Sequence, residues 1–191
     1  MARERKFTKD DLFQAARDIL LDFGYEGFTF SLLAEKLHIS RGAIYKYYKN
    51  KDELVIDYML FHMHHFMEDL KGMETYSSFK GQFDFLIEVL YKHSKIHQIL
   101  RASHHIPAQT NQYTDKSKNR LDEMHHKLYA QLQTFLNKGR KENILKPQIS
   151  DDLILVFIFQ LVEVPNHSGI SRGEWIDQVT EILRHGMFTK L

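Results

Sequence analysis

The chain has 191 residues, 43% of them apolar and 27% charged, a composition that supports a packed core and a solvated surface and excludes wholesale disorder. It contains no cysteine, which removes disulfides, thiol nucleophiles and cysteine-held metal centres and fits a reducing compartment. The formal net charge is only +1, yet the sixteen residues from Lys36 to Lys51 hold five bases and no acid, a positive island in a chain that is otherwise net acidic.

The first residues, Met1-Ala-Arg-Glu-Arg-Lys-Phe7, are basic but run into Thr8-Lys-Asp-Asp11 rather than an apolar stretch, so no signal peptide is expected. The longest apolar run, Leu153 to Val164, falls short of the roughly 20 residues of a membrane-spanning helix. The expected location is the cytoplasm. Apolar residues recur at helical spacing, and the three prolines, Pro107, Pro147 and Pro165, all fall late, so the expected fold class is all-α.

In chain order, Thr8 with Asp11 forms a capping-box variant that opens a first helix. Leu12, Ala16, Ile19 and Phe23 share one face of it, and Gly24 is expected to close it. Thr29 starts a short second helix with Phe30, Leu33, Ala34 and Leu37 on its apolar face. After a tight turn at His38-Ile39, Ser40 caps a short third helix with Ile44 and Tyr48 on one side and Arg41, Lys46 and Tyr47 elsewhere. Asn50 with Glu53 caps a longer helix through Leu54, Met59 and Phe66 to about Lys71, terminated by Gly72. Further helices are expected from Phe79 to about His104, singly or as a pair, and from near Thr114 to Lys138. Ser150 caps the apolar run Leu153 to Phe159, and Ser171 with Glu174 caps a last helix carrying Trp175, Val179, Ile182 and Leu183.

Two short helices joined by a tight turn, the second rich in bases, fit a helix-turn-helix, although a solvated helix hairpin has the same pattern. Exposed N–H groups at the start of the third helix attract phosphate, Gly42 and Ala43 permit close approach, and Arg41 can bond a guanine edge. Tyr45 and Tyr47 offer hydroxyls to phosphates and rings to thymine methyls.

The string from Gly24-Tyr-Glu-Gly through Ala34, Ile39-Ser40, Gly42, Tyr45 and Lys49-Asn50-Lys51 to Leu54 closely resembles the DNA-binding domain of the tetracycline-repressor (TetR/AcrR) family, over about residues 6 to 55. The resemblance implies that Arg41, Gly42, Ala43, Tyr45 and Lys46 face bases, with Ser40 at the head of the same helix, and that Thr29, Tyr47 and Lys51 meet phosphates, joined by Ser31. A base at the start of the fourth helix is electrostatically awkward without an anion beside it, which points Lys51 the same way; a merely solvated lysine is the plain alternative. Departures from the family pattern are His38, where a turn glycine is usual, and Phe30 and Tyr48. The implied architecture is a three-helix DNA-binding unit over residues 1–50, joined to a larger helical ligand-binding and dimerisation domain over 51–191.

One helix-turn-helix reads few base pairs, so two copies on a palindromic operator are expected. The all-round apolar run Leu153 to Phe159 needs covering on every side, and the resemblance pairs the last two long helices, about 151–164 and 172–188, in a homodimer. By the same resemblance the middle helices enclose a small apolar or amphipathic effector. Met63, Met67, Phe83, Met124 and Phe159 suit a core or a pocket equally, while Gln160 and Glu163 within the apolar helix could face a polar ligand group or the dimer rim.

Twelve histidines raise a metal-sensing alternative, with His93 and His97 at chelating i, i+4 spacing, against surface or core-edge histidine as the simpler reading. No Walker loop, GxGxxG, GxSxG or HExxH motif occurs, so neither an enzyme nor a cofactor is expected. The reading is a cytoplasmic homodimeric repressor of double-stranded DNA released by an effector. A helical protein-interaction module without DNA specificity is the rival from another class.

Overall fold

The structure, a computed structural model, describes residues 7–94 and 112–189. They are overwhelmingly helical: α1 (Lys9–Gly27), α2 (Phe30–Lys36), α3 (Arg41–Tyr45), α4 (Lys51–Leu70), α5 (Phe79–Lys92), α6 (Gln112–Lys141), α7 (Asp151–Val162) and α8 (Arg172–Met187), with a 3-10 turn at Lys71–Thr75. No strand forms among the described residues beyond the isolated bridge Leu145–Phe188. The all-α expectation is thus borne out. No described helix is long and apolar enough to cross a membrane.

The chain divides into two compact units, residues 1–63 with 95–122 and residues 64–94 with 123–191, so α4 and α6 each belong partly to both. In the first unit, Thr8 accepts from the Asp11 amide at 3.0 Å and the Asp11 carboxylate accepts from the Thr8 amide at 2.8 Å, completing the capping box. These bonds to Thr8 hold the Asp11 carboxyl below its usual range. Leu12, Phe13, Ala16, Ile19 and Leu20 of α1 are buried with Phe30, Leu33 and Ala34 of α2, Ile44 of α3 and Leu54, Val55 and Tyr58 of α4.

Two expectations for α1 need correction. Gly24 takes the left-handed φ of a helix stop (66°), but a further turn re-forms through Gly27 because Tyr25 is drawn inward, donating its hydroxyl to the buried Asp52. Phe23, on the near side of that kink, is 58% exposed rather than buried with Leu12, Ala16 and Ile19.

The second unit is organised around aromatic rings. Phe79 stacks on Phe135 with centroids 4.6 Å apart, and Phe188 packs against Phe79 and Phe83 at 5.6 and 5.1 Å. Arg140 of α6 ties down the loop entering α7, donating to Asp151 at 3.0 and 2.7 Å, to the Lys146 carbonyl at 2.6 Å and to the Ile149 carbonyl. Ser150 and the Ser171–Glu174 pair cap α7 and α8 as expected. Gly72 does not end α4 by its conformation. It lies in the 3-10 turn, where a Cβ would stand 2.5 Å from the Phe85 ring, so the residue is small because a ring approaches closely.

Candidate nucleic-acid interface

The second and third helices form a helix-turn-helix whose every corner has a local cause. Thr29 is extended (φ −136°, ψ 152°) and accepts from the Leu32 amide at 3.2 Å, which starts α2 and leaves its hydroxyl proton free to donate outward. The turn is made by His38 at φ 53°, the left-handed region in which a non-glycine residue is strained, and is closed by the Ile39 amide on the Ala34 carbonyl at 2.9 Å. The histidine that departs from the family pattern therefore occupies the position where glycine is conformationally free.

Ser40 sits at the N-cap of α3 as expected but makes no side-chain cap bond. Its hydroxyl and the first amides of α3 remain at an exposed helix start. Ile44 and Tyr48 are buried, whereas Arg41, Gly42, Tyr45, Lys46 and Tyr47 are exposed and Ala43 half-buried. A Cβ at Gly42 would meet nothing of the chain nearer than 3.9 Å, so the fold itself does not require glycine there. Arg41 reaches back to Ser31 at 3.5 Å, and the Phe30 ring supports Tyr45 edge-on at 5.0 Å. The second departure, Phe30, is thereby the platform of an exposed tyrosine.

The third departure is also explained. Tyr48 donates to Asp57 of α4 at 2.6 Å, and Asp57 pairs with Lys9 of α1 at 3.0 Å, so the end of α3 is fastened to two neighbouring helices. Glu53 joins them, accepting from the Lys49 amide at 2.9 Å while its own amide bonds Asn50 at 2.9 Å. The Asn50–Glu53 bond is the cap expected from the sequence, and Tyr48 at i+4 from Ile44 was a visible signal, whereas Asp57 and Lys9 were not singled out.

Lys51 has partners within the chain. Its ammonium donates to the Tyr25 carbonyl at 3.0 Å and lies 4.3 Å from the centre of the Tyr25 ring. These partners answer the electrostatic objection to a base at a helix start. Lys36 pairs with Asp18 at 3.2 Å, and the bases Arg41, Lys46 and Lys49 are exposed in and just after α3, together with Tyr45 and Tyr47.

The expected effector residues are dispersed in burial. Met63 and Phe83 are fully buried, Phe83 among Phe79 and Phe188, while Met67, Met124, Phe159 and Glu163 are half-buried. Gln160 lies within the apolar helix α7 and is exposed. Nor is α7 covered all round: Leu153, Val156 and Phe157 are 46%, 51% and 52% exposed, and Ile182 of α8 is 61% exposed. Of the histidines, His93 is buried against Asp69 at 2.7 Å and edge-on to Phe66, whereas His97, His104 and His105 lie outside the described residues. Among the described residues, no group of three histidine or carboxylate side chains is placed to share a metal ion.

Comparison with known proteins agrees with this geometry. Residues 9–58 match the sequence model of the family described as bacterial regulatory proteins, tetR family. That segment is thus similar to the N-terminal domain of tetR-family regulatory proteins, in line with the resemblance read from the sequence. A search of curated protein sequences finds no match. Solved structures share the fold over almost the whole chain. The ketosteroid transcriptional regulator KstR2 of Mycobacterium tuberculosis is 15% identical with a TM-score of 0.78, covering 100% of this chain and 98% of its own. AibR, solved with isovaleryl coenzyme A and operator DNA, is 16% identical with a TM-score of 0.74, covering 98% and 100%. FadR of Bacillus subtilis, solved with stearoyl-CoA, is 18% identical with a TM-score of 0.64, covering 94% and 99%.

Proposed function

We propose that the protein is a homodimeric repressor that occupies a palindromic operator through α3 and is released by a small amphipathic effector. The carrying observation is the division of α3 and the turn that follows it: Ile44 and Tyr48 are committed to the core, and Arg41, Tyr45, Lys46 and Tyr47 are exposed without an acid among them. Arg41 and Lys46 with Gly42, Ala43 and Tyr45 read base edges, while Thr29, Ser31, Ser40 and Tyr47 bond phosphates. Lys51, already on the Tyr25 carbonyl, adds charge next to that contact line. Residues 1–50 form the reading module and 51–191 the remainder.

The partner is a second copy of the chain. Leu153, Val156 and Phe157 of α7 and Ile182 of α8 present apolar area to solvent that a symmetric pairing of these two helices would cover. For the effector, the half-buried Met67, Met124, Phe159 and Glu163 offer soft apolar walls and one carboxylate. Acyl-coenzyme A thioesters are the first class to try, by likeness to AibR and FadR, whose structures hold such molecules. The test is selection from randomised duplex DNA by the purified protein at two salt concentrations, followed by release with isovaleryl- and stearoyl-coenzyme A. Recovery of one inverted repeat bound by two protomers is expected. Recovery of no preferred sequence would overturn the operator reading.

A further inference from the structure

The first turn of α2 is built toward α3 as well as toward the core. Phe30, its first residue, is 7% exposed, and its ring meets that of Tyr45 at 5.0 Å with the two planes 70° apart. Tyr45 itself is 55% exposed at the last position of α3. An exposed tyrosine on a helix has two side-chain wells open to it. An edge-on ring contact is worth a factor of about two to ten in population, so the buried Phe30 holds Tyr45 in the well where the rings meet. The neighbouring residue of α2, Ser31, accepts a 3.5 Å hydrogen bond from Arg41 at the first position of α3. Two consecutive residues of α2 thus touch the side chains at both ends of α3.

Arg41 and Tyr45 stand one helical turn apart, hence on one face of α3 and about 6 Å from each other along its axis. Base pairs repeat about every 3.4 Å, so the two side chains address base pairs about two steps apart. A guanidinium bonds a guanine edge, whereas a tyrosine ring held at a fixed angle offers an apolar surface, and the apolar group of the major groove is the thymine 5-methyl. We propose that Phe30 is a positioning residue that holds Tyr45 against a thymine methyl group, so that each operator half-site carries a thymine about two base pairs from the pair read by Arg41. This rests on the reading of α3 as the DNA-contacting helix. Fixing the ring before binding removes part of the ordering cost of the contact, so a base preference comes to depend on a residue buried in the protein.

The test uses the full chain and the inverted repeat recovered by selection, with each thymine in turn replaced by deoxyuridine, which removes only the methyl group. Wild-type protein is expected to lose affinity about fourfold per half-site at a thymine about two base pairs from the pair where Arg41→Ala loses discrimination. Tyr45→Phe keeps that sensitivity because the ring remains, and Tyr45→Ala abolishes it. Phe30→Leu leaves the Tyr45 ring in place but unsupported, so the same replacement costs less than about twofold, while the slope of log affinity against log salt, which counts phosphate contacts, is unchanged. Phe30→Met, whose flexible side chain fills the same space, repeats the measurement, and thermal melting checks that each variant is folded. Full methyl sensitivity in folded Phe30→Leu or Phe30→Met protein would overturn the positioning role. No methyl sensitivity in wild type, on a duplex it binds specifically, would overturn the thymine contact and leave the operator reading standing. Failure of the wild type to bind any selected duplex would overturn the DNA reading and this inference with it.

Discussion

Arg140→Ala isolates one device that sets the start of α7. The guanidinium makes four hydrogen bonds, two to Asp151 and one each to the Lys146 and Ile149 carbonyls, and about a quarter of each charged side chain stays solvent-accessible. At about 1 kcal/mol net per bond, discounted for that residual solvation, the loss is about 3 kcal/mol. For a chain of this length it corresponds to a melting temperature lower by about 6 to 12 °C. Arg140→Lys should recover about a third of the loss at most, because one ammonium cannot bridge a carboxylate and two carbonyls in the planar fork.

The effect has a pH signature. Burial would raise the Asp151 carboxyl, but hydrogen bonds from Arg140 and Gln133 and the guanidinium charge hold it below its ordinary value. A carboxylate depressed in the folded state contributes stability that is present above the unfolded value near pH 4 and lost as pH falls through the lower folded value. The gap between wild type and Arg140→Ala should therefore be full at neutral pH and shrink below about pH 4. Differential scanning calorimetry at pH 7 and pH 3 reads both. An Arg140→Ala protein melting within 2 °C of wild type at pH 7 would refute the reasoning.

Three further outcomes follow. Phe157→Asp places a charge in the exposed apolar strip of α7 and should convert the proposed dimer to monomer in sedimentation velocity with the helical circular dichroism unchanged; an undisturbed dimer would move the pairing elsewhere. Gly139→Ala brings a methyl within 2.6 Å of the Phe79 ring, which Phe135 and Phe188 prevent from moving, so chemical denaturation should show a loss of about 1 to 3 kcal/mol. Burial raises the Tyr25, Tyr58 and Tyr91 phenols above their ordinary value, for Tyr25 with help from Asp52. Stability should accordingly be unaffected by them below about pH 10 and fall above it, as phenols ionise in the unfolded chain first; the Tyr25→Phe variant, followed by far-ultraviolet dichroism, should show a shallower alkaline decline.

Signals confined to one helical turn were legible in the sequence. Thr8 with Asp11, Thr29, Ser150 and Ser171 with Glu174 cap the helices they announce, because a cap is a bond between residues three apart. What escaped depends on distant partners. Gly24 carries the expected stop conformation, yet Tyr25 turns back into helix to reach Asp52, 27 residues away. Lys51 donates to the Tyr25 carbonyl 26 positions away, a partner that no local signal announces. Periodicity placed Phe23 and Ile182 on apolar faces, but whether such a face meets core or solvent depends on packing that one helix does not encode. The basic, exposed side of α3 was legible in the sequence; the fastening of its end through Tyr48, Asp57 and Lys9 was not, since those residues are separated by up to 48 positions.

The most direct test of the account is the affinity of Arg41→Ala, beside Tyr47→Ala, for the selected half-site and for every single base-pair substitution of it. Arg41 lies exposed at the first position of α3, and Tyr47 just past its end. The account predicts that Arg41→Ala flattens discrimination at one or two base pairs, by about 1 to 3 kcal/mol there, whereas Tyr47→Ala weakens all sequences alike. An equal loss on every sequence for Arg41→Ala would contradict the claim that α3 reads bases.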